Sequence, residues 1–339
     1  MVRRIDRVLL SFVVPCYNVE KYIQQCLDSI YACDLSEDQF EVLCVNDCSP
    51  DNVQELLEWN KQQHDNLRIV VHGENQGLGG ARNTGIHEAK GKYLWFVDSD
   101  DLVTAQGLNA LVRKAVDDEL DVLCFNYRRV DESGKGMSEH RVFEETSTRD
   151  GYSFVKSVFG NGIVYHMGYV VRFLYRTDYL KSHRLAFPEQ VHWEDTVFMP
   201  KALLEAKRVA AVSDVLYSYR VNPDSISGVF AKAYPAKSIY EWAFCAGADL
   251  LAFSDEVKDN GFKMVFRNTA IDKYINGFVM HLFRTSRSER SRFFKMVNDH
   301  KAEIRRLKEY LNWKNKMVLM PSIGPIITNV LSFWYKKTH

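Results

Sequence analysis

The sequence has no excess of charge of either sign: lysine plus arginine and aspartate plus glutamate each number 44 among 339 residues. Proteins that bind nucleic acid usually carry a basic excess, so the balance argues against a nucleic-acid partner. One basic region survives within the balanced total, because eleven lysines and arginines stand against four acidic residues between Arg284 and Lys316.

Long apolar runs are also missing from the sequence. A transmembrane helix needs about 18 or more consecutive apolar residues, so none is expected. The N-terminus, "MVRRIDRVLLSFVVP", combines basic and apolar parts as a signal peptide does, but no small-residue cleavage site follows it. We therefore interpret this segment as the first buried strand of a folded domain.

The seven cysteines form no CxxC pair, and their odd number argues against a disulfide framework. Most of them stand in apolar runs such as "VLCVND" and "DVLCFN", where cysteine acts as a small hydrophobic residue. This usage indicates a reducing compartment. We therefore expect a cytoplasmic protein.

Short apolar strands alternate with amphipathic helices over the first part of the chain. Strands and helices that alternate with short connecting loops predict an α/β fold, with a mostly parallel, Rossmann-like sheet flanked by helices. The predicted strands are 8–15, 40–47, 67–72, 92–98 and 121–131, and the predicted helices are 18–32, 51–63 (with Asp51 as N-cap), 79–91 and 104–119.

The chain is longer than one hydrophobic core usually supports, so we expect more than one structural region. The alternation breaks at "DESGKGMSEH" (131–140), a polar segment that we expect to be a loop and a boundary, and from about 229 onward the apolar spacing is helical. We therefore divide the sequence into residues 1–130, residues 131–228 and a C-terminal helical region, 229–339.

Polar, turn-forming residues follow each of the first four strands: "PCYNVE", "NDCSPD", "GENQGLGGARN" and "DSDD". In an open parallel sheet, ligands bind beyond the carboxyl ends of the strands. Four such segments at one edge therefore predict a binding site there.

The glycine-rich segment "GLGGAR" nearly matches the dinucleotide fingerprint GxGxxG, but Arg82 stands where the third glycine is needed. A guanidinium beside exposed backbone N–H groups at a helix N-terminus suits a phosphate or diphosphate. A surface ion pair is the alternative role for Arg82.

Three carboxylates crowd the end of the fourth strand in "KYLWFVDSDD". Close carboxylates are stable beside a divalent cation, and Mg²⁺ or Mn²⁺ prefers oxygen ligands, commonly one or two carboxylates plus substrate phosphates. Asp98 and Asp100 are the candidate ligands, whereas Asp101 suits an N-cap for the helix that starts near Thr104.

Residues 11–101 resemble the nucleotide-sugar domain of family-2 glycosyltransferases, enzymes of the GT-A fold. The matching segments are "SFVVPCYNVEKYI", "VNDCSPD", "NQGLGGARNTGI" and "YLWFVDSDD", in the family's order. The resemblance implies an inverting transfer of a sugar from a nucleoside-diphosphate sugar, most simply a UDP-sugar, to a hydroxyl group. It also makes 1–130 the nucleotide-sugar-binding half and 131–228 the acceptor and catalytic-base half of one domain.

The resemblance also implies roles for the matching residues. The nucleoside pocket would be lined by Pro15, Tyr17 and Glu20, and Asp47 would bind the edge of the base. Asn75 and the segment from Gly77 to Arg82 would lie beside the ribose and diphosphate, Asp98 would contact the ribose, and Asp100 would be the principal ligand of the metal. Cys48 departs from the family, in which glycine is frequent at this turn, so a positive φ there would be mildly strained.

Two later segments are similar to family motifs. In "VHWEDTVFMP" the resemblance makes Asp195, beside Glu194, the catalytic base, although an acidic pair at a helix N-terminus is also favoured by the helix dipole. In "YSYRVNPDSIS", Arg220 and either Ser225 or Ser227 would close over the diphosphate, and a plain strand explains that pattern equally well.

The acceptor does not follow from the resemblance, and a polysaccharide or lipid-linked glycan is the expected class. The segment 317–337 is apolar and follows the basic region, so it would dock on the cytoplasmic face of an anionic membrane or pack on the core. The aromatic-rich helices after residue 235 allow a homodimer.

Two other functions fit the same residues. A nucleotidyltransferase would use the glycine-rich loop, arginine and acidic ligands to join a nucleoside triphosphate to a sugar phosphate, releasing pyrophosphate. A non-catalytic protein would only bind the sugar nucleotide. The acids at 98, 100, 194 and 195 argue against the second of these functions.

Overall fold

The computed structural model describes residues 8–159, 169–189, 194–222, 239–269 and 286–299, together with 324–326, 328–329 and 332. These residues divide into two compact units. The first contains the described residues up to 222, and the second contains those from 239 onward.

Strands and helices alternate along the first unit. The elements of its first part are β1 (Leu10–Cys16), α1 (Ile23–Tyr31), β2 (Phe40–Asn46), α2 (Val53–Gln63), β3 (Leu67–Val71), α3 (Gly77–Glu88), β4 (Tyr93–Phe96), β5 (Leu102–Val103), α4 (Leu108–Asp117) and β6 (Val122–Val130). The elements that follow are β7 (Gly136–His140), α5 (Gly151–Phe159), β8 (Phe173–Arg176), α6 (Thr177–Ser182), α7 (Glu194–Leu204) and β9 (Val209–Arg220).

In the described part of the chain, nine strands form one sheet in the order β3-β2-β1-β4-β8-β6-β9-β5, with β7 paired to β6. The strands from β3 to β4 are parallel, as predicted. Beyond β4 the sheet is mixed: β8 is antiparallel to both β4 and β6, and β9 is parallel to β6. Strands β1 to β4, β6 and β9 therefore point their carboxyl ends to the same edge of the sheet.

The sheet forms the core because its central strands are apolar on both faces. Every residue of β1 and β2 is buried, which is typical of a parallel strand covered on two sides. Trp95 of β4 is fully buried and packs against Phe12 and Phe125, with ring centroids 5.7 and 5.0 Å away. Burial on both faces thus fixes the position of the strand that carries the acidic turn.

Two predictions about secondary structure need correction here. The polar segment 131–140 is not a loop throughout, because β7 pairs antiparallel with β6 to make a hairpin. Asp51 is not the N-cap of α2, whose cap is Asn52. Asp51 Oδ1 does accept the backbone N–H of Val53, the first residue of α2, at 3.3 Å. The same carboxylate accepts the backbone N–H of Glu20 at 2.7 Å and the hydroxyl of Ser49 at 2.5 Å, which joins the loop after β1 to the loop after β2.

The second unit is helical where it is described, as predicted: α8 (Ile239–Glu256), α9 (Asn260–Thr269) and α10 (Arg287–Asp299). No helix among the described residues combines the length and apolarity needed to cross a bilayer. Most of the basic region and most of the apolar segment 317–337 lie outside the described residues.

Candidate active site

The acidic turn after β4 is fixed by β9. The Asp101 N–H donates to the Asp98 carbonyl at 3.0 Å and closes the turn. The two carboxylate oxygens of Asp101 accept the Tyr217 hydroxyl at 2.5 Å and the Arg220 N–H at 2.7 Å. Asp101 is therefore an anchor and not the predicted helix N-cap: α4 begins at Leu108, and its cap is Gly107.

The turn concentrates negative charge in a poorly solvated place. Burial, together with the neighbouring charge of Asp98, raises the pKa of Asp100 to about 6. The pKa of Asp101 is raised by burial and by the charges of Asp100 and Asp98. A group of this kind gains stability from a proton or from a nearby cation.

Arg82 joins the acidic turn to a second acidic position. Its side chain is buried, and one terminal nitrogen donates to Asp98 Oδ1 at 2.7 Å while the other donates to Glu194 Oε1. Its guanidinium carbon also lies 5.4 Å from the centre of the Phe187 ring. The position predicted for phosphate contact thus carries a buried cation between one carboxylate of the acidic turn and one of α7, and the alternative of a surface ion pair is wrong.

Glu194 and Asp195 begin α7. Glu194 is buried, and burial raises its pKa to about 7, although the charge of Arg82 opposes that shift. Asp195, the next residue, is half-buried. The fold therefore brings Asp98, Arg82 and Glu194 together although they are far apart in sequence, and it places Asp195 directly beside them.

The Asp47 carboxylate fixes the start of α3. Its two oxygens accept the backbone N–H groups of Gln76 at 2.8 Å and Gly77 at 2.9 Å, and its carbonyl accepts the side-chain amide of Asn75 at 3.1 Å. His72 Nδ1 lies 2.6 Å from Asp47 Oδ1. Asp47, expected to bind a nucleobase, here holds the glycine-rich loop against the sheet edge.

The residues predicted to line a nucleoside pocket lie around the end of β1. Pro15 is buried within β1, whereas Tyr17, just after the strand, is 50% exposed. The Glu20 carboxylate accepts the N–H of Asn52 at 2.9 Å. Cys48 has a φ of +54°, which is the strained conformation expected for a residue at a glycine position.

Arg220 lies at the carboxyl end of β9 and is almost completely buried. Its Nε donates to the Asp100 carbonyl at 2.8 Å, and its two terminal nitrogens donate to the Glu132 carbonyl and to Gln25 Oε1. These contacts brace the backbone of the acidic turn. Ser225 and Ser227, predicted to act with Arg220, lie outside the described residues.

Sequence reasoning missed two residues that shape the site. His72 directly follows β3, at the same sheet edge as the predicted loops. Its position at a strand end could have marked it as a site residue. Tyr217 opens the segment "YSYRVNPDSIS", but its role could not be predicted, because its hydroxyl bonds to Asp98 N at 3.2 Å and to Asp101, which lie 119 and 116 residues away in sequence.

The acidic turn suits a divalent cation only when a bound diphosphate completes the coordination of the metal. No group of three potential metal ligands occurs among the described residues. Asp98 and Asp100 offer hard carboxylate oxygens, and the raised pKa of Asp100 indicates unneutralised charge. Two carboxylates completed by phosphate oxygens are a common arrangement for Mg²⁺ and Mn²⁺, so the donor set fits such an ion bound with a diphosphate.

Comparisons with known proteins give relatives that are named glycosyltransferases. A Bacillus subtilis protein named "Uncharacterized glycosyltransferase EpsJ" is 33% identical over 228 residues, which are 65% of this chain and 63% of the relative. Staphylococcus aureus "Poly(ribitol-phosphate) beta-N-acetylglucosaminyltransferase TarS" is 32% identical over 211 residues, which are 62% of this chain and 35% of the relative. The chain thus spans less than two thirds of the length of these curated relatives.

A solved structure, S. aureus TarS 1-349 in complex with UDP-GlcNAc, has a TM-score of 0.69 at 23% identity and covers 98% of this chain and 92% of that one. The likeness shows that the two proteins share a fold. The model of "Glycosyl transferase family 2" matches residues 11–183, which contain β1 to β8 with the acidic turn and the arginine that binds it. This match covers half of the chain, and the chain therefore belongs to glycosyltransferase family 2, with a GT-A-type fold.

Proposed function

We propose that the protein transfers a sugar from a UDP-sugar to a hydroxyl group of a polysaccharide or lipid-linked glycan, with inversion at the anomeric carbon. The observation that carries this proposal is the buried Arg82, held between Asp98 and Glu194 at the carboxyl edge of the sheet. This arrangement joins the proposed donor-binding turn directly to the helix that carries the proposed base.

The donor would lie across the ends of β1 to β4. Tyr17 offers an exposed ring for the nucleoside, and the loop held by Asp47 presents the start of α3 to the diphosphate. The N–H groups of Gln76 and Gly77 already bind Asp47, so the diphosphate would approach the helix beyond them, where the positive end of the helix dipole favours an anion. Support for UDP also comes from the TarS structure, which is a complex with UDP-GlcNAc.

A divalent metal ion would be held by Asp100 and Asp98 together with the diphosphate. When bound, such an ion neutralises negative charge on the departing diphosphate. Arg82 assists as a fixed positive charge that needs no reorganisation during the reaction, because its two carboxylate partners already orient it.

Asp195 is the proposed general base. The family resemblance gives this role to Asp195, and the neighbouring Glu194 carboxylate binds Arg82. Asp195 would accept the proton of the acceptor hydroxyl while that oxygen bonds to the anomeric carbon. The bond from this carbon to the diphosphate breaks in the same step, and UDP leaves with its electron pair.

Titration calorimetry with a panel of nucleoside-diphosphate sugars and Mn²⁺ tests donor binding and identifies the donor. Asp195→Asn should bind this donor with wild-type affinity and lose turnover by about 100-fold or more. Asp100→Ala should lose metal-dependent transfer. Full metal-dependent transfer by Asp100→Ala would contradict the site, and release of pyrophosphate from a nucleoside triphosphate and sugar phosphate would indicate a nucleotidyltransferase instead.

Membrane contact is a separate proposal, based on the apolar segment 317–337 and the basic region before it. We expect the full chain to float with anionic liposomes and a chain truncated after Lys316 to remain in the dense fraction. Equal flotation of the two proteins would contradict the proposal.

A further inference from the structure

Three aromatic rings form a stack beside the acidic turn and take no part in the site described above. The rings of His140 and Tyr127 lie 4.8 Å apart with a 9° angle between their planes, and those of Tyr127 and Tyr169 lie 5.6 Å apart at 29°. Tyr169, at one end, is 43% exposed, and the other two are half-buried. We call Tyr127, His140 and Tyr169 the aromatic stack.

The stack stands at the sheet edge that carries the donor residues. Tyr127 lies in the second half of β6, which runs parallel to β4 because β8 is antiparallel to both strands. Across β6 and β9, Tyr127 is the register partner of Tyr217, whose hydroxyl contacts Asp98 N and Asp101. Neighbouring strands are about 4.8 Å apart, so the stack begins one strand away from the residue that anchors the acidic turn.

A buried cation holds the rings in place. The guanidinium carbon of Arg172 lies 5.1 Å from the ring centre of Tyr169 and 5.5 Å from that of Tyr127. Phe143 and Phe173 complete the surroundings of this guanidinium at 5.3 and 5.9 Å. Because cation–π contacts restrain the rings before any ligand binds, binding loses little side-chain entropy there.

The chemistry of the stack suits a sugar ring. One face of a pyranose presents C–H groups with partial positive charge, and these pack on the negative face of an aromatic ring. Arg129, half-buried and two residues beyond Tyr127 in β6, adds a cationic donor for hydroxyl or acidic substituents. A nucleic-acid strand is disfavoured by the neutral net charge, and the donor nucleotide is assigned to the ends of β1 to β4.

We propose that the aromatic stack binds a sugar ring of the glycan acceptor, with Tyr169 as the stacking surface. This inference rests on the proposed function, because it assigns the acceptor subsite of the same transfer. Position and exposure support it together: the rings contact Arg172, Tyr169 is open to solvent, and the stack lies on the same edge as the donor site.

A glycan array probed with labelled protein in saturating UDP and Mn²⁺ tests the proposal. The wild-type protein should bind a subset of the oligosaccharides. Tyr169→Ala should raise the dissociation constant of each bound glycan at least fivefold. Tyr169→Phe keeps the ring and should retain binding. Trp59→Ala removes another exposed aromatic side chain, 54% exposed on α2, and should change nothing.

Calorimetric UDP binding and the melting temperature are measured on every sample. If Tyr169→Ala melts lower than the wild type, Tyr169→Leu replaces it, because leucine keeps apolar volume without a ring. Less than fivefold weakening, or a wild-type protein that binds UDP but no glycan on the array, would overturn the subsite. Failure of the wild type to bind UDP or any UDP-sugar would instead contradict the proposed function.

Discussion

The side-chain amide of Asn83 pairs with the backbone of Phe187 as a neighbouring strand would: Nδ2 donates to the Phe187 carbonyl at 2.9 Å, and Oδ1 accepts the Phe187 N–H at 2.8 Å. The Phe187 ring in turn stacks on Phe198 of α7, with centroids 3.9 Å apart. A Cβ at Gly79 would lie 2.3 Å from the Pro188 carbonyl, so α3 and this segment are in close contact. Helix α3 thus orients the segment that packs on the helix carrying Asp195.

Asn83→Ala should therefore separate catalysis from donor binding. Loss of two partly buried hydrogen bonds should lower the free energy of unfolding by about 2 kcal/mol. The value of kcat should fall about tenfold or more because Asp195 is no longer well positioned, while the dissociation constant of UDP stays within threefold. Asn60→Ala also removes buried hydrogen bonds, to Gln24 and to the Leu56 carbonyl, and should lower stability without lowering kcat. Equal kcat values in Asn83→Ala and wild type would contradict this coupling.

Arg82→Lys should weaken donor binding by about tenfold or more. A lysine ammonium cannot bind Asp98 and Glu194 in the forked geometry of arginine, and the buried Glu194 is left poorly compensated. Denaturant titration measures the change in the free energy of unfolding, and calorimetry with UDP measures the change in donor affinity. Arg68→Lys is a matched control, because Arg68 also bridges two carboxylates, those of Glu41 at 2.9 Å and Glu88 at 3.0 Å. Similar losses of UDP affinity in both variants would show that Arg82 acts only through stability.

The raised pKa of Asp100 predicts a pH-dependent cost to stability in the absence of metal. Its pKa rises from 3.8 to about 6 on folding, so the folded state holds this proton more tightly than the unfolded state. The favourable contribution of protonated Asp100 to the free energy of unfolding is therefore fully present below about pH 4, and it is lost as the pH rises through 6.

Asp100→Asn should consequently unfold with a free energy about 2 kcal/mol higher than wild type at pH 7.5 in EDTA, a figure reduced for partial solvent screening. The two proteins should be equally stable near pH 4. Urea titrations from pH 4 to 8 measure the difference, with Asp65→Asn as an exposed control. A gap that is constant across this range would contradict the cause assigned to the shift.

Cys48→Gly should stabilise the protein, because Cys48 has a φ of +54°. A non-glycine residue in this region costs about 1–2 kcal/mol, and the greater freedom of glycine in the unfolded chain offsets about 0.5–1 kcal/mol of the gain. A rise of about 0.5–1 kcal/mol in the free energy of unfolding is expected. Cys48→Ala keeps the Cβ and should give no such rise, so equal effects of the two substitutions would point to the thiol instead of the backbone.

The first half of the fold could be predicted because each element has a local signature. β1 and β2 are mostly apolar runs, and α1 and α4 bury residues at helical spacing. β7 has no such signature: four of its five residues are exposed, and it pairs only with β6 among the described strands. Its polar sequence therefore looks like a loop, although backbone pairing makes it a strand.

The same distinction applies to the candidate site. Arg82, Asp98 and Asp100 could be singled out because each stands in a short segment at a predicted strand or helix end. The contacts that they make could not be predicted, because Glu194 lies 112 residues from Arg82 and Tyr217 lies 116 residues from Asp101. Local patterns identify candidate groups, but contacts between distant segments depend on sheet order.

The anchoring of Asp101 by Tyr217 and Arg220 has a consequence for how the protein is made. A ribosome completes the acidic turn more than a hundred residues before it reaches β9, so the emerging chain cannot anchor the Asp101 carboxylate until that strand has left the exit tunnel. A fragment ending at Val130 would contain every carboxylate of the turn but neither group that holds Asp101. Competence to bind a sugar nucleotide should therefore arise late in synthesis, once β9 pairs with β6, and a truncated donor half should not act as an independent module.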